Sequence, residues 1–547
     1  MVVVHGRVSA AEERATAARR FHEQGLVRLD DRWSELPSMG ARFASADHPY
    51  SDDLDVFGPS SLFQRIDRTE TRMGEERLAA WLAAACEPVD LAEVRARQVA
   101  VKDLAPRLAF RERLSAAGAL SVAPGGKPGA DERPDPGPFL GWAEGALPLP
   151  FDAASRWTGV ALVLPALFLA GVIANAAGAP RLAWIVPLLA ELAVIGATGR
   201  YVTPIADAVL TREGALARLA GMLQVMAAEP FEAPELQALQ AKLRASGAEA
   251  TVEMARLERI MGFLEARNSG LWRLLVAPLL LWELNWVLAL ERWRARAGRH
   301  VRAWIDAVAE MEALASLAGL SFECPAFAFP EIGDAPRFDA EQLGHPLIAP
   351  GKRVCNDASL GAPGSALVIT GSNMSGKSTL LRAIGVNAVL ALAGGPVCAR
   401  RLGTGPIRVA ASMRVRDSLA EGVSRFYAEV RKLKAVIERA RAGRIPATLF
   451  LLDEVLHGTN SRERLIGARA IVRELVARGA MGGVSTHDLA LGDLEQELPG
   501  SVVNVHFEEQ VEGDTMTFDY KLRPGVVHSS NALRIMRMVG IDVVHAE

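Results

Sequence analysis

Hydrophobic and polar positions change texture three times along this chain. Up to about residue 120 their spacing is helical. Residues 1–45, opening "MVVVHGRVSAAEERATAARRF", read as a polar amphipathic helix followed by loop. In "SSLFQRIDRTETRMGEERLAAWLAAA", Leu62, Ile66, Leu78, Trp81 and Leu82 recur at helical spacing and predict a second helical block. The stretch 123–139 is rich in Pro and Gly and reads as a loop or linker. Charge then disappears: Trp157 to Ala179 carries none, and 182–199 is apolar except for Glu191. Gly178 and Pro180 mark a tight turn between the two runs, which predicts a helical hairpin. A membrane span needs about 20 apolar residues, so the pair fits a transmembrane hairpin; the alternative is two helices buried in a large helical domain.

A shorter apolar stretch, 274–290, holds Glu283 and Asn285. A third crossing there would separate the two ends of the chain across the bilayer, so a buried or interfacial helix is expected instead. Directly after it, Arg292, Arg296, Arg299 and Arg302 share roughly one helical face. Such a face can bind the phosphates of lipid or nucleic acid, or simply be solvated. From about 330 the texture becomes mixed. Strands are predicted at 366–370, 407–413, 447–453, 482–486 and 501–507, several followed by helical stretches, which indicates an α/β domain with a largely parallel sheet. The expected organisation is an N-terminal helical segment (1–50), a first set of core helices (51–150), the hairpin (156–200), further helices (201–330) and the α/β domain (331–547).

Composition narrows the function classes. A net charge of −3 on 61 basic and 64 acidic side chains excludes a polycation, so any nucleic-acid or lipid surface must be a local patch. Cys86, Cys324, Cys355 and Cys398 lie far apart without C-x-x-C spacing, which argues against a disulfide framework or zinc site. The N-terminal stretch has mixed charge rather than a secretory pattern and is expected to stay in the cytosol. Both flanks of a hairpin then face the cytosol, and Arg156, Arg200 and Arg212 against the lone Arg181 in the turn agree with that orientation. The expected location is the cytoplasmic membrane, with membrane lipid as a partner.

The densest chemistry lies in "ALVITGSNMSGKSTLLRAI" (366–384). Gly371, Ser372, Asn373, Met374, Ser375, Gly376, Lys377 and Ser378 match G-x-x-x-x-G-K-[ST] in full, with Thr379 next. The glycines let backbone N–H groups turn toward phosphate oxygens, and the helix beginning near Lys377 adds its positive end. Lys377 should reach the β- and γ-phosphates of ATP, and Ser378 should ligate Mg²⁺. A buried-strand pattern from Thr448 to Leu452 ends in Asp453 and Glu454. Asp453 is expected to hold the magnesium ion and Glu454 to polarise the attacking water. Two acids can also merely cap a strand; the phosphate loop upstream favours the catalytic role. His487, in "STHD" at the end of the next strand, could sense the γ-phosphate or position water, or be an ordinary polar residue. No other metal is expected.

These segments resemble the MutS family of DNA mismatch-recognition ATPases. "TGSNMSGKSTLLR" is similar to that family's phosphate loop, "LLDEVLHGTNSRERLIGARAIV" to its Walker B strand and following turn, and "STHDLAL" to its switch-histidine motif. "EGVSRFYAEVRKL" (421–433) resembles its S-T-F-x-x-E segment, "YKLRPGVVHSSNALRIMRMVGI" its closing Y-x-L-x-x-G helix, and "LFQRIDRTETRMGEERLAAWL" with "VRARQVAVKDL" the opening of its helical core. The resemblance covers about 55–105 and 340–541. It implies an ABC-like P-loop ATPase domain behind an all-α core, with Asn373 against the nucleotide. It also implies a homodimer in which Ser424 reaches the partner's γ-phosphate, with Phe426 and Glu429 in the same segment and Thr459 in a turn facing the partner.

The chain departs from the family pattern in several places. Ser372 and Ser375 replace a proline and a glycine, and 352–357 ("KRVCND") has no aromatic where the family stacks one on adenine. The first 50 residues leave no room for a mismatch-reading domain, and the hairpin stands where the family has levers and a DNA clamp. The expectation is a short, membrane-anchored MutS-like ATPase, with DNA binding and mismatch repair implied by resemblance alone. The other reading is a membrane-bound nucleotide switch or scaffold that recruits an unidentified protein partner.

Overall fold

The computed structural model describes residues 2–119, 133, 135–145, 154–210, 213–244, 249–265, 278–372, 374–414, 425–456, 459–512 and 515–527. They form two units, each assembled from separate pieces of the chain. One comprises Met1–His22, Thr69–Glu76 and Arg107–Glu312; the other Glu23–Arg68, Arg77–Pro106 and Ala313–Glu547.

The first unit is helical among its described residues. Its longest apolar helices are Ala154–Ala176 and Leu182–Leu210, packed as a hairpin around Gly178 at φ +100°. They approach so closely that a Cβ on Gly171 would lie 2.1 Å from the Ala183 carbonyl oxygen. The apolar windows Trp157–Ala176 and Leu182–Val202 hold 20 and 21 residues, which at about 1.5 Å per residue span roughly 30 Å, the thickness of a bilayer core. Only 11% of each window is buried, and Leu162, Leu167, Ile173, Leu182 and Leu189 face outward. A pair of core helices in a soluble domain would be mostly covered, so burial within this chain is not what the fold provides. The two helices could therefore cross a membrane. Beside them, the helix Trp282–Ala297 buries Leu284, Val287, Leu288 and Leu290, and Asn285 donates to the Ala161 carbonyl at 3.1 Å.

The same unit buries one carboxyl deeply. Glu312 accepts from the backbone N–H groups of Glu70 (2.7 Å) and Thr71 (3.2 Å) and from the Thr71 hydroxyl, just ahead of the helix Arg72–Ala83. Gly74 makes room for it, since a Cβ there would stand 2.2 Å from a Glu312 carboxylate oxygen.

The second unit holds two sheets. Its strands are β1 (Glu331–Ile332), β2 (Phe338–Leu343), β3 (Asn356–Ser359), β4 (Ser365–Thr370), β5 (Arg401–Thr404), β6 (Ile407–Ser412), β7 (Ala447–Asp453), β8 (Met481–Thr486), β9 (Val502–Glu512) and β10 (Thr515–Pro524). The main sheet runs β10-β9-β4-β8-β7-β6, and the smaller one β1-β5-β2-β3. The five strands of the main sheet that the apolar runs predict, β4, β6, β7, β8 and β9, pair in parallel, while β10 joins antiparallel. The small sheet has no counterpart in the sequence reading because its strands are short and partly polar. "YKLRPG", expected to open a closing helix, instead lies on β10 and the turn after it, with 528–547 outside the described residues.

One face of the main sheet is covered by the phosphate-loop helix Lys377–Ala393, buried along nearly its whole length as an all-round apolar helix must be. Another apolar cluster joins Val368, Phe450 and Val484 to the helices Arg425–Arg441 and Ser461–Ala477 through Leu433, Val436, Val472 and Leu475. The segment around Tyr50, Leu54 and Val56, all fully buried, belongs to this unit too. Leu54 fills the space that a side chain on Gly385 would need. Asp53, 1% exposed, accepts from the backbone N–H groups of Met413 (3.1 Å) and Arg414 (2.6 Å) and from the Lys432 ammonium (3.1 Å), and Asp55 pairs with Arg414.

Candidate nucleotide site

Register brings the motif residues to one edge. In the parallel pairing Thr370 stands opposite Thr486, and Asp453 opposite Ser485. The three turns that follow β4, β7 and β8 therefore emerge side by side at the carboxyl ends of the strands, where open α/β sheets bind ligands.

The first turn curls because Gly371 (φ +145°) and Gly376 (φ +111°) take conformations closed to most side chains. A Cβ on Gly371 would meet the Phe507 carbonyl oxygen at 2.8 Å. Lys377, 4% exposed, opens the helix and turns its ammonium back to donate to the carbonyls of Gly371 (2.8 Å) and Ser372 (2.7 Å). Burial pushes this ammonium below its ordinary range, and the charges of Glu454, Asp453 and Glu509 work against that shift. The Ser372 and Ser375 hydroxyls are buried without a hydrogen-bond partner among the described residues. Orphaned hydroxyls beside a helix N-terminus suit phosphate oxygens. Met374 (φ +68°) is 85% exposed, Ser378 half-buried and Thr379 exposed. Asn373 lies outside the described residues.

The second turn supplies the acids. β7 is buried from Ala447 to Leu452 and ends on Asp453, whose carboxylate accepts from the Ser485 hydroxyl. Glu454 takes φ +47°, and its N–H donates to the Ser485 carbonyl at 3.2 Å. This left-handed turn directs the next side chain away from the strand's alternation. Leu456 follows at φ +60°, and its N–H donates to the buried Glu429 carboxylate on the helix Arg425–Arg441. The third turn carries His487, with Nδ1 3.7 Å from a Glu454 carboxylate oxygen. The side chains of Lys377, Asp453, Glu454 and His487 thus meet at one edge, with Ser378 in the same first helical turn. Ser378 and Asp453 are hard oxygen donors of the kind magnesium takes. Ser424 lies outside the described residues; Thr459 donates to Glu463 at 2.7 Å.

Tyr520 is a residue that sequence reasoning passed over. The β9–β10 pairing shifts register between Phe518 and Leu522, Tyr520 takes φ +53°, and its ring turns outward, 43% exposed. A ring carbon comes within 3.4 Å of the Cβ position on Gly376, and Phe518 stacks behind it with ring centroids 5.9 Å apart. Asn356 donates to the Tyr520 carbonyl (3.0 Å) and Lys521 to that of Cys355 (3.1 Å). The segment 352–357, which has no aromatic of its own, therefore lies alongside one. Two aromatics at period two, in "FDY", were the available signal; the bulge that re-aims the second was not visible.

The basic face at 292–302 reads differently in three dimensions. Arg296 makes two hydrogen bonds to Glu253 (3.0 and 2.8 Å), Arg302 two to Glu144 (2.7 and 2.6 Å), and Arg294 pairs with Glu291. Acids from other helices thus pair with two of its four arginines, Arg296 and Arg302, which weakens the phosphate-binding alternative relative to a solvated face.

The fold and the edge geometry agree with a comparison against known families. Residues 367–546 match the family model of MutS domain V, so this part of the chain is similar to the P-loop ATPase domain of MutS proteins.

Proposed function

We propose that this chain is a magnesium-dependent ATPase of the MutS type, held at the cytoplasmic membrane by the hairpin with both units in the cytosol. The observation that carries the reading is the convergence of Lys377, Asp453, Glu454 and His487 at the carboxyl edge of a parallel sheet. Gly371, Ser372, Asn373, Met374, Ser375, Gly376 and Thr379 wrap the phosphates with backbone N–H groups and hydroxyls. Lys377 leaves its carbonyl partners for the β- and γ-phosphates. Held by Ser378 and Asp453, Mg²⁺ supplies neutralising charge at those phosphates. Glu454 orients the attacking water and takes its proton, and His487 holds the water or the γ-phosphate from the other side. Tyr520 offers its face to the adenine in place of an aromatic in 352–357.

The working form is a homodimer in which Ser424 reaches the partner's nucleotide. Phe426, Tyr427 and Val430 on the helix Arg425–Arg441, and Ile466 on Ser461–Ala477, leave apolar surface exposed for a second copy. The uncovered hairpin supports lipid as the other partner. DNA binding rests on resemblance alone, since Glu253 and Glu144 pair with two of the four arginines of the candidate basic face. Glu454→Gln tests the ATPase reading. Hydrolysis should fall by about 10²–10⁴-fold while ATP affinity holds, as loss of a general base predicts. Equal turnover in the two proteins would reject the assignment.

A further inference from the structure

Glu454 and His487 also line a shallow recess, open to solvent, that no role described so far uses. Arg464 and Asp488 share its lining with them, together with the apolar Val484, Ala468 and Leu491. Arg464 is half-buried in the first turn of the helix Ser461–Ala477. Among the described residues its guanidinium has no hydrogen bond or ion pair. Nearby charges are engaged: Arg469 with Asp493 (2.6 Å), Glu463 with Thr459, and Asp488 with the N–H of Ala490 (3.1 Å). A half-buried guanidinium without a partner among the described residues, in one recess with the residues that would flank a γ-phosphate, is suited to an anion that comes and goes.

We propose that this recess is the exit site for the phosphate cleaved from ATP, with Arg464 as its anchor. The proposal rests on the ATPase reading. The water oxygen bonds to the γ-phosphorus, and the bond to the bridging oxygen breaks with its electron pair left on ADP. One water proton passes to Glu454, and the other stays on the departing hydrogen phosphate. Glu454 is then neutral, so its carboxyl does not repel the anion in the moment after cleavage, and Arg464 offsets the remaining charge of Asp488. The phosphate moves past His487 onto Arg464, which donates two N–H groups to its oxygens, and leaves through the open side. Until it has gone, Glu454 cannot return to its role in the next cycle.

The test uses the full-length protein loaded with ADP and titrated with inorganic phosphate at constant ionic strength, read by thermal midpoint. Wild type and Arg464→Lys should be stabilised by phosphate. Arg464→Gln should need about tenfold more phosphate for half the effect, as expected from losing a charge-assisted anchor. ADP affinity should stay within about twofold. In single-turnover mixing with a phosphate sensor, Arg464→Gln should change the release rate and leave the cleavage rate alone. An equal phosphate response in wild type and Arg464→Gln overturns the proposal, and so does a parallel fall in ADP affinity. A wild-type protein that never cleaves ATP would instead refute the ATPase reading, which is separately visible because the titration requires no turnover.

Discussion

Glu312→Gln isolates the energetics of a single buried carboxyl. Glu312 lies in a pocket of backbone donors, and burial pushes its pKa from 4.5 up to about 8. At about 1.4 kcal/mol per pH unit, ionising it costs the folded state roughly 5 kcal/mol. A folded pKa above the unfolded one means that stability is present in full below pH 4.5. It is lost progressively as pH rises and is gone above about 8. By pH 7 most of the loss, about 3 kcal/mol, has already occurred. Glutamine keeps the shape: its carbonyl can accept from the Glu70 and Thr71 N–H groups, and its amide can donate to the Thr71 hydroxyl. The variant should match wild type within about 1 kcal/mol near pH 5 and become the more stable protein by several kcal/mol at pH 8. Urea midpoints of both proteins in detergent, from pH 4.5 to 9, give the difference curve, in which other titrating groups cancel. Parallel curves across that range would refute the burial argument.

Lys377→Ala should weaken ATP binding by roughly two orders of magnitude, because charge-assisted hydrogen bonds contribute about 1.5–3 kcal/mol each; a nucleotide fluorescence titration checks it. Tyr520→Ala should lower ATP and ADP affinity about tenfold or more, from about 1–3 kcal/mol of base stacking, with Tyr520→Phe unchanged and inorganic triphosphate bound equally by all three. Leu167→Arg, at an outward-facing position near the middle of the first hairpin helix, adds about 2.5–3.5 kcal/mol to insertion and should increase release by alkaline carbonate.

How legible these features were depended on how local their causes are. The phosphate loop and the Thr448–Leu452 strand could be read because glycine conformation, apolar runs and terminal acids are written in consecutive residues. The hairpin was legible for the same reason, since uncharged length is local. The small sheet was not, because strands such as Asn356–Ser359 are held by pairing rather than by their own pattern. The arginine period at 292–302 was visible, but Glu253 and Glu144, which pair with Arg296 and Arg302, lie far away in sequence. Tyr520 depended on a register shift, and the burial of Asp53 on donors just past β6 and on a later helix, neither of which a single sequence displays.

That last contact shapes how the chain comes to be made. Asp53 and the backbone it holds at Arg414 are 361 residues apart. At about 5–20 residues per second on the ribosome, the early segment waits roughly 20–70 s for its seat to be synthesised. During that interval Tyr50, Leu54 and Val56 have no finished nucleotide domain to cover them, and the greasy hairpin emerges before the sheet exists. Delivery of the hairpin to lipid while translation continues would remove the larger aggregation hazard first. A cut at residue 367, where the family match begins, would leave the domain without the piece that seats against Gly385 and closes over its central helix.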